Sequence, residues 1–410
     1  TNFDFVGLGP IVSYDPRAVI SAGLLDLTAN DDDDVITKSW QVEEEVNTFY
    51  AMLNVDAELG EMPLTGNIGV QFVNAEQSST GGIADEANAG SFVLTTEEGS
   101  TDEVLPSLNL SLEVMDGLYA RVSVARTLAR PRMDDLRVSR TLNRDDRYLT
   151  VTNPVVGQAY FTADGGNPQL QPYTADGFDL SIEKFFGDGG YVAAAVFHKS
   201  IGNWAFDATR PADFSAFTSL VPADQLPGLG STTGFLSAPI NVSGGSIEGL
   251  ELSAQVPFET FADALEGFGV NVSASFTDSE ITPNPAAGPI SVPGLSETVV
   301  NTTAYYENNG FGVRVSNRYR SDFLGEVSGF GFDRTLRTVE EESLWDAQLT
   351  LDLGEMSFAP EYLDGLSFFL QGINLTDEPF RTFNGGDSRQ VIDHQEYGST
   401  YLVGFSYTFD

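Results

Sequence analysis

Residues 343–353 read Ser343-Leu344-Trp345-Asp346-Ala347-Gln348-Leu349-Thr350-Leu351-Asp352-Leu353. Trp345, Ala347, Leu349, Leu351 and Leu353 alternate with Asp346, Gln348, Thr350 and Asp352. Successive side chains of a strand point to opposite faces, so a period of two gives one apolar and one polar face. The same alternation recurs in 270–277 and 311–320, where Arg314, Arg318 and Arg320 share the polar face. It recurs again in 47–57, 66–73, 105–114, 118–125, 178–186, 191–199, 249–256, 295–306, 366–376 and 400–409. Together these runs predict about thirteen two-faced strands.

Two architectures accept such strands. A soluble sandwich buries the apolar faces between two sheets, whereas a membrane barrel turns them to lipid around a polar lumen. The connections discriminate. Asp116-Gly117, Gly187-Asp188-Gly189-Gly190 and Asn308-Asn309-Gly310 are tight links, and 58–65 and 257–268 belong to the same short series. Between them fall long polar links at 74–100, 128–172, 203–240, 279–294, 324–340 and 379–396. Short turns at one rim and long loops at the other are the asymmetry of an outer-membrane barrel. The expected fold is therefore an all-β, antiparallel transmembrane β-barrel, with 1–38 an extracellular loop region and 39–410 the barrel segment. No apolar run approaches the roughly 20 residues of a helical span, but a barrel strand crosses with only about 9–11.

Composition narrows the functional classes. The net charge is −40, from 60 acidic and 20 basic residues, and such a surface repels nucleic acid. Cysteine is absent, which removes disulfides and thiolate metal sites. The two histidines, His198 and His394, stand in no metal-ligand or nucleophile pattern, so an enzyme is not expected and neither is a cofactor. The run Asp31-Asp32-Asp33-Asp34 lacks the spacing and glycine of a calcium loop and reads as a solvated acidic segment.

Several phrases, in order, resemble TonB-dependent receptors: LPSLNLSLEV at 105–114, ARTLARP at 125–131, GNPQLQPYTADGFDLSIEKFF at 166–186, AVFHKSIGNW at 195–204 and NLTDEPF at 374–380. The final strand resembles the signal read by the barrel-assembly machinery. There Gly404, Tyr407 and Phe409 form a Gly-x-x-Tyr-x-Phe pattern, and Asp410 beyond the last Phe is a small departure. The match runs from residue 40 to 410, and its phrasing is closest to receptors of the Caulobacter and Xanthomonas type, many of which import oligosaccharides. The resemblance implies a Gram-negative outer-membrane importer with a barrel of about 22 strands around a plug. The plug, the segment that binds TonB–ExbB–ExbD and about nine early strands are not among these residues, so the chain is expected to be a piece of a longer protein. Expected partners are outer-membrane lipid and lipopolysaccharide, the assembly machinery and a small-molecule ligand. Siderophore uptake, a passive porin and a secreted β-rich adhesin are the competing readings.

Sugars present C–H faces to aromatic rings and hydroxyls to polar side chains. Trp204, between Asn203 and Asp207, is accordingly the leading sugar-contact candidate, with Tyr160 and Phe161 as further loop aromatics. Eight arginines fall in 121–147, Arg130 and Arg132 among them. They are either partners of carboxylates such as Asp134, Asp135, Asp145 and Asp146, or bidentate donors for an incoming ligand.

Residues 1–103 hold 20 of the acidic residues and only Arg17 and Lys38 as cations. Like charges packed at one rim repel over a screening length of about 10 Å at 0.1 M salt. Protease protection of the loops in the intact, detergent-solubilised receptor is therefore expected to rise with salt and with millimolar calcium. Protection indifferent to both would mean that the acidic loops are merely solvated.

Overall fold

The computed structural model describes residues 14–25, 33–84, 92–242, 244–282, 288–328, 334–356, 360, 363 and 365–408. Two short helices, Pro16–Ser21 and Asp33–Ile36, precede the sheet. The strands in chain order begin with β1 (Trp40–Leu59), β2 (Met62–Ala84), β3 (Phe92–Met115), β4 (Leu118–Ala129), β5 (Arg140–Arg144), β6 (Phe161–Gly165) and β7 (Tyr173–Phe186). They continue with β8 (Gly190–Asp213), β9 (Thr233–Val242), β10 (Gly245–Pro257), β11 (Phe268–Ile281), β12 (Thr298–Asn308) and β13 (Phe311–Arg320). The last are β14 (Phe323–Ser328), β15 (Arg334–Val339), β16 (Glu342–Asp352), β17 (Leu366–Ile373), β18 (Phe380–Phe383), β19 (Val391–Gln395) and β20 (Thr400–Tyr407).

Thirteen of them form one antiparallel meander, in the order β1-β2-β3-β4-β7-β8-β10-β11-β12-β13-β16-β17-β20. These correspond one to one with the thirteen alternating runs of the sequence. Among the described residues β1 and β20 do not pair, so the sheet is open, as an odd antiparallel count requires. Tight turns join the strands at one rim. Asn309 (φ 48°) and Gly310 (φ 75°) close β12 to β13 in the left-handed region that two-residue hairpin turns demand. All the long connections emerge at the other rim.

Register keeps the two faces continuous. On one, Leu110, Val122, Leu180, Val196, Leu250 and Phe276 lie side by side across six strands. Val313, Leu349, Leu370 and Val403 continue that face toward the end of the chain. Many of these side chains are exposed, Val403 at 80%. Near the short-turn rim Phe268, Tyr306 and Phe311 interlock, with the first two ring centroids 4.4 Å apart, as in an interfacial girdle. The opposite face is polar. One row runs Asn54, Asn67, Asn109, Ser123, Asp179, and another Gln255, Asn271, Thr303, Ser316, Asp346. Side chains bond along these rows, Asn109 to Asn67 at 3.0 Å and Thr303 with Ser316 at 2.8 Å.

The long links correct one expectation, because they are not simple loops. Strand β2 passes the end of its apolar stripe at Phe72 and continues to Ala84, with Asn74, Glu76, Ser78 and Thr80 now on that face. Strand β8 runs through Trp204 to Asp213, and β9 returns beside it. β5 and β6 lie within 128–172, and a separate four-stranded sheet, β14-β15-β18-β19, is built from Phe323 onward through 324–340 and from 379–396. Pairing continues because backbone groups bond to each other wherever two strands already run together. The apolar stripe, which marked strands in the sequence, stops at the membrane boundary.

Leu180 sits mid-strand on the apolar face, 46% exposed. If that face meets lipid, Leu180→Arg should cost about 2–4 kcal/mol of folding free energy in bilayers. Ser273→Arg, on the polar face, should stay within about 0.5 kcal/mol. Urea titration of refolding into lipid vesicles checks the contrast.

Candidate functional site

The rim that carries the long connections is where a solute from one side would first be met, and its parts are tightly built. The protruding half of the β2–β3 hairpin turns Val73, Ala75, Gln77 and Ser79 inward, and all four are buried. Segment 130–172 folds against them. Gln77 donates its side-chain amide to the carbonyl of Pro168 at 2.6 Å, and Ser79 Oγ accepts from the Val138 N–H at 2.8 Å. Gln169 in turn donates to the Glu98 carbonyl at 2.7 Å. Small residues permit the approach, since a Cβ on Gly99 would stand 2.8 Å from the Pro168 oxygen. Neither Gln77 nor Ser79 is singled out by the sequence, where both read as polar loop residues. The glycines at 81, 82 and 99 within strand-like text are the only local hint of a docked segment.

Above this contact lies a small apolar core. Tyr160 (3% exposed), Phe161 (0%), Ala163, Phe214, Val221, Leu236 and Ala238 pack together, with Phe161 stacked on Phe214 at 5.5 Å. Tyr160 and Phe161 are thus not exposed ring platforms, which corrects the sequence expectation. Their rings hold the rim module together, and burial pushes the Tyr160 phenol above its ordinary pKa.

The other candidates lie elsewhere. Trp204 lies inside β8 rather than in a loop, edge-on to Tyr173 at 5.2 Å and packed on a second core of Ile201, Ile281 and Val292. Asn203 donates to the Pro172 carbonyl at 2.9 Å, and Asp207 is exposed on the same strand. Arg130 is ion-paired with Glu44, and Arg132 makes a fork to Asp134 at 3.0 and 2.8 Å. The structure therefore places Tyr160, Phe161 and Trp204 in two apolar cores and Arg130 and Arg132 in two ion pairs, holds Asn203 to a backbone carbonyl and leaves Asp207 exposed. Gly404 and Tyr407 lie on β20, while Phe409 lies outside the described residues, as do Asp31 and Asp32 of the acidic run.

Most arginines of 121–147 have carboxylate partners. Arg121 meets Glu183 at 3.3 Å, Arg126 meets Glu103 at 3.7 Å, and Arg147 meets Asp145 at 2.6 Å. Arg144 instead caps the Leu220 carbonyl. The Arg147 guanidinium holds the Asp145 carboxyl below its usual range. In the four-stranded sheet Asp393 accepts from both Arg337 and buried Thr382 at 2.7 Å. Nearby, Arg389 keeps Asp387 well below the carboxylate range. A depressed carboxylate stabilises above its unfolded pKa and loses that contribution only as pH falls through the lower folded value, so this turn keeps its ion pair in mildly acid medium. Among the described residues no group of three or more His, Asp or Glu is arranged to hold a metal.

The family model described as "TonB dependent receptor-like, beta-barrel" matches residues 2–375. The chain belongs to this family. It is accordingly part of a TonB-dependent receptor barrel of the outer membrane, with the apolar face toward lipid and the polar face lining the lumen. No curated protein matches it in sequence. Among solved structures it is similar to the ferric enterobactin receptor of Pseudomonas aeruginosa, with TM-score 0.56 and 17% identity, covering 90% of this chain and 55% of that one. It is also similar to the siderophore receptor PirA of Acinetobacter baumannii, with TM-score 0.53, 14% identity and coverage of 90% and 55%. The unliganded ferric citrate transporter FecA gives TM-score 0.53 at 13% identity, with 90% and 46% covered. At these identities the likeness is one of fold. The chain spans about half the length of these receptors.

Gly99→Val should expel segment 166–170 from the hairpin, because the added atoms collide with the Pro168 backbone. Limited proteolysis of the folded receptor should then cleave within 130–172 many times faster than in the wild type, with the trans-bilayer strands still protected.

Proposed function

We propose that this barrel serves TonB-dependent import of a neutral, polyhydroxylated nutrient, an oligosaccharide, with the long-loop rim and residues 1–38 facing outward. The observation that carries the reading is the pairing of the arginine cluster. Arg121, Arg126, Arg130, Arg132 and Arg147 are all engaged by carboxylates of the chain itself. With a net charge of −40 and these carboxylates beside the cluster, the local field does not favour a polyanionic ligand. The luminal rows of Asn, Gln, Ser and Thr suit hydroxyl partners instead. The family is one of transport receptors, which supports a role without catalysis. Coupling to TonB–ExbB–ExbD and insertion by the barrel-assembly machinery are carried by the family alone.

A ferric-complex receptor is the second reading. It draws on the similar solved receptors, named for siderophores and ferric citrate. On this chain it draws on Arg320, which donates to Ser296 Oγ and the Gly294 carbonyl but has no carboxylate partner among the described residues.

A clean deletion of the gene in its native host tests both. Growth on malto-, xylo- or cellohexaose should fail, with iron acquisition intact, and disabling TonB should copy the defect. A defect confined to iron limitation would move the assignment to a ferric complex.

A further inference from the structure

Between β10 and β11 the short-turn rim carries ten residues, 258–267, where two close β3 to β4 and β12 to β13. They fold into two 3₁₀ turns, Phe258–Thr260 and Asp263–Leu265. In the first, the Phe261 N–H donates to the Phe258 carbonyl at 3.0 Å. Three residues per turn put i and i+3 on one side, so the rings of Phe258 and Phe261 share a side of the turn.

Register says which side that is. Val256, two residues before Phe258, pairs with Val270 on the lipid face. Phe268, where the chain re-enters that face, packs on Tyr306 at 4.4 Å. Phe258 therefore carries the lipid-facing stripe of β10 past the end of the strand, and Phe261 carries it one step further. Glu259, on the next side of the turn, lies within electrostatic reach of Tyr305, a luminal residue. The segment stays against the rim, since a Cβ at Gly187 in the β7–β8 turn would stand 3.0 Å from Thr260 Oγ1. Phe261 is 71% exposed, and Leu265 and Phe268 are exposed nearby.

An apolar side next to charged residues, in a segment continuous with a lipid-facing wall, suits the boundary between hydrocarbon and headgroups. The charges select the headgroup. Glu259, Asp263 and Glu266 are the only charged residues of 256–268. A net-anionic lipid layer repels them, whereas a zwitterionic layer offers an amine to each carboxylate.

We propose that 258–261 is an interfacial anchor, with Phe258 and Phe261 seated in the leaflet at the short-turn rim. The carboxylates of 259–266 then meet the amines of a zwitterionic phospholipid, phosphatidylethanolamine. With the long-loop rim outward, as proposed above, this is the inner leaflet. The anchor extends the girdle of Phe268, Tyr306 and Phe311 below the strand ends, and it does not depend on the solute transported.

The test uses the full-length receptor in vesicles of phosphatidylethanolamine and phosphatidylcholine. A spin label is attached through Phe261→Cys, with Val403→Cys as the hydrocarbon reference and Asp188→Cys, in the β7–β8 turn, as the aqueous one. The label at Phe261→Cys should be relaxed several-fold more by oxygen, which dissolves in the bilayer, than by a water-soluble nickel chelate. Replacing the lipid with phosphatidylglycerol should move it toward the aqueous reference. Relaxation matching Asp188→Cys in both lipids would overturn the anchor. Protection from both reagents would also overturn it, because the ring would then be covered by another part of the receptor or by a protein partner. Equal depth in the two lipids would overturn the choice of headgroup. If the labelled variant does not insert, Phe261→Trp replaces it, read as fluorescence beyond that of the unsubstituted receptor. Quenching of that signal by brominated phosphatidylethanolamine supports the anchor, and its absence overturns it.

Discussion

A peptide group inside a bilayer has no water to bond with, and leaving it unpaired costs several kcal/mol. A polypeptide that crosses by strands must therefore satisfy each strand through its neighbours. The meander from Trp40 to Tyr407 does this with sequential antiparallel pairs, so short turns come to one rim and long connections to the other. The same constraint fixes what the strands look like. Every second residue meets hydrocarbon and the intervening ones meet the lumen, and Leu110-Val122-Leu180 on one face with Asn109-Ser123-Asp179 on the other is its direct product.

That constraint also decides which parts of the molecule were legible in the sequence. The thirteen trans-bilayer strands were, because lipid on one side and water on the other imposes a period of two on each. Turn chemistry at Asn309-Gly310 and Gly117 was legible for a similar reason, since the backbone there enters the left-handed region. Above the apolar boundary the signal fades. Past Phe72 neither face of β2 keeps an apolar stripe, Val73 and Ile83 being its only large apolar residues, so a continuing strand and a flexible loop read alike. Trp204 and Phe161 read as loop aromatics because nothing local shows that β8 and β6 continue there. Their burial depends on partners far along the chain: Tyr173 for Trp204, and Phe214 for Phe161.

Charge shows the same division between local and distant information. The excess of acid and the arginine cluster are plain in the composition, but whether an arginine is open to a ligand depends on its pairing. Arg147 finds Asp145 two residues away, whereas Arg130 finds Glu44 across 86 positions and Arg121 finds Glu183 on the neighbouring strand. Most of these cations hold the rim and the wall together. Asp179 is the opposite case, a carboxylate on the luminal face with no partner among the described residues.

The extended β2–β3 hairpin changes how the cell surface meets the protein. Twelve residues of each strand, 73–84 and 92–103, continue past the apolar boundary, and at roughly 3.3 Å per residue that is a blade about 40 Å tall. Pinned by Gln77, Ser79 and Gln169 to the folded segment behind it, the blade does not sway like a tether. With this rim outward, as proposed, it stands clear of the bilayer as a fixed landmark. A phage tail or an antibody would find a shaped, persistent epitope there, so variation forced by such attackers should concentrate on Asn74, Glu76, Ser78 and Thr80, the outward side chains, while the inward ones stay bound to their docking partners.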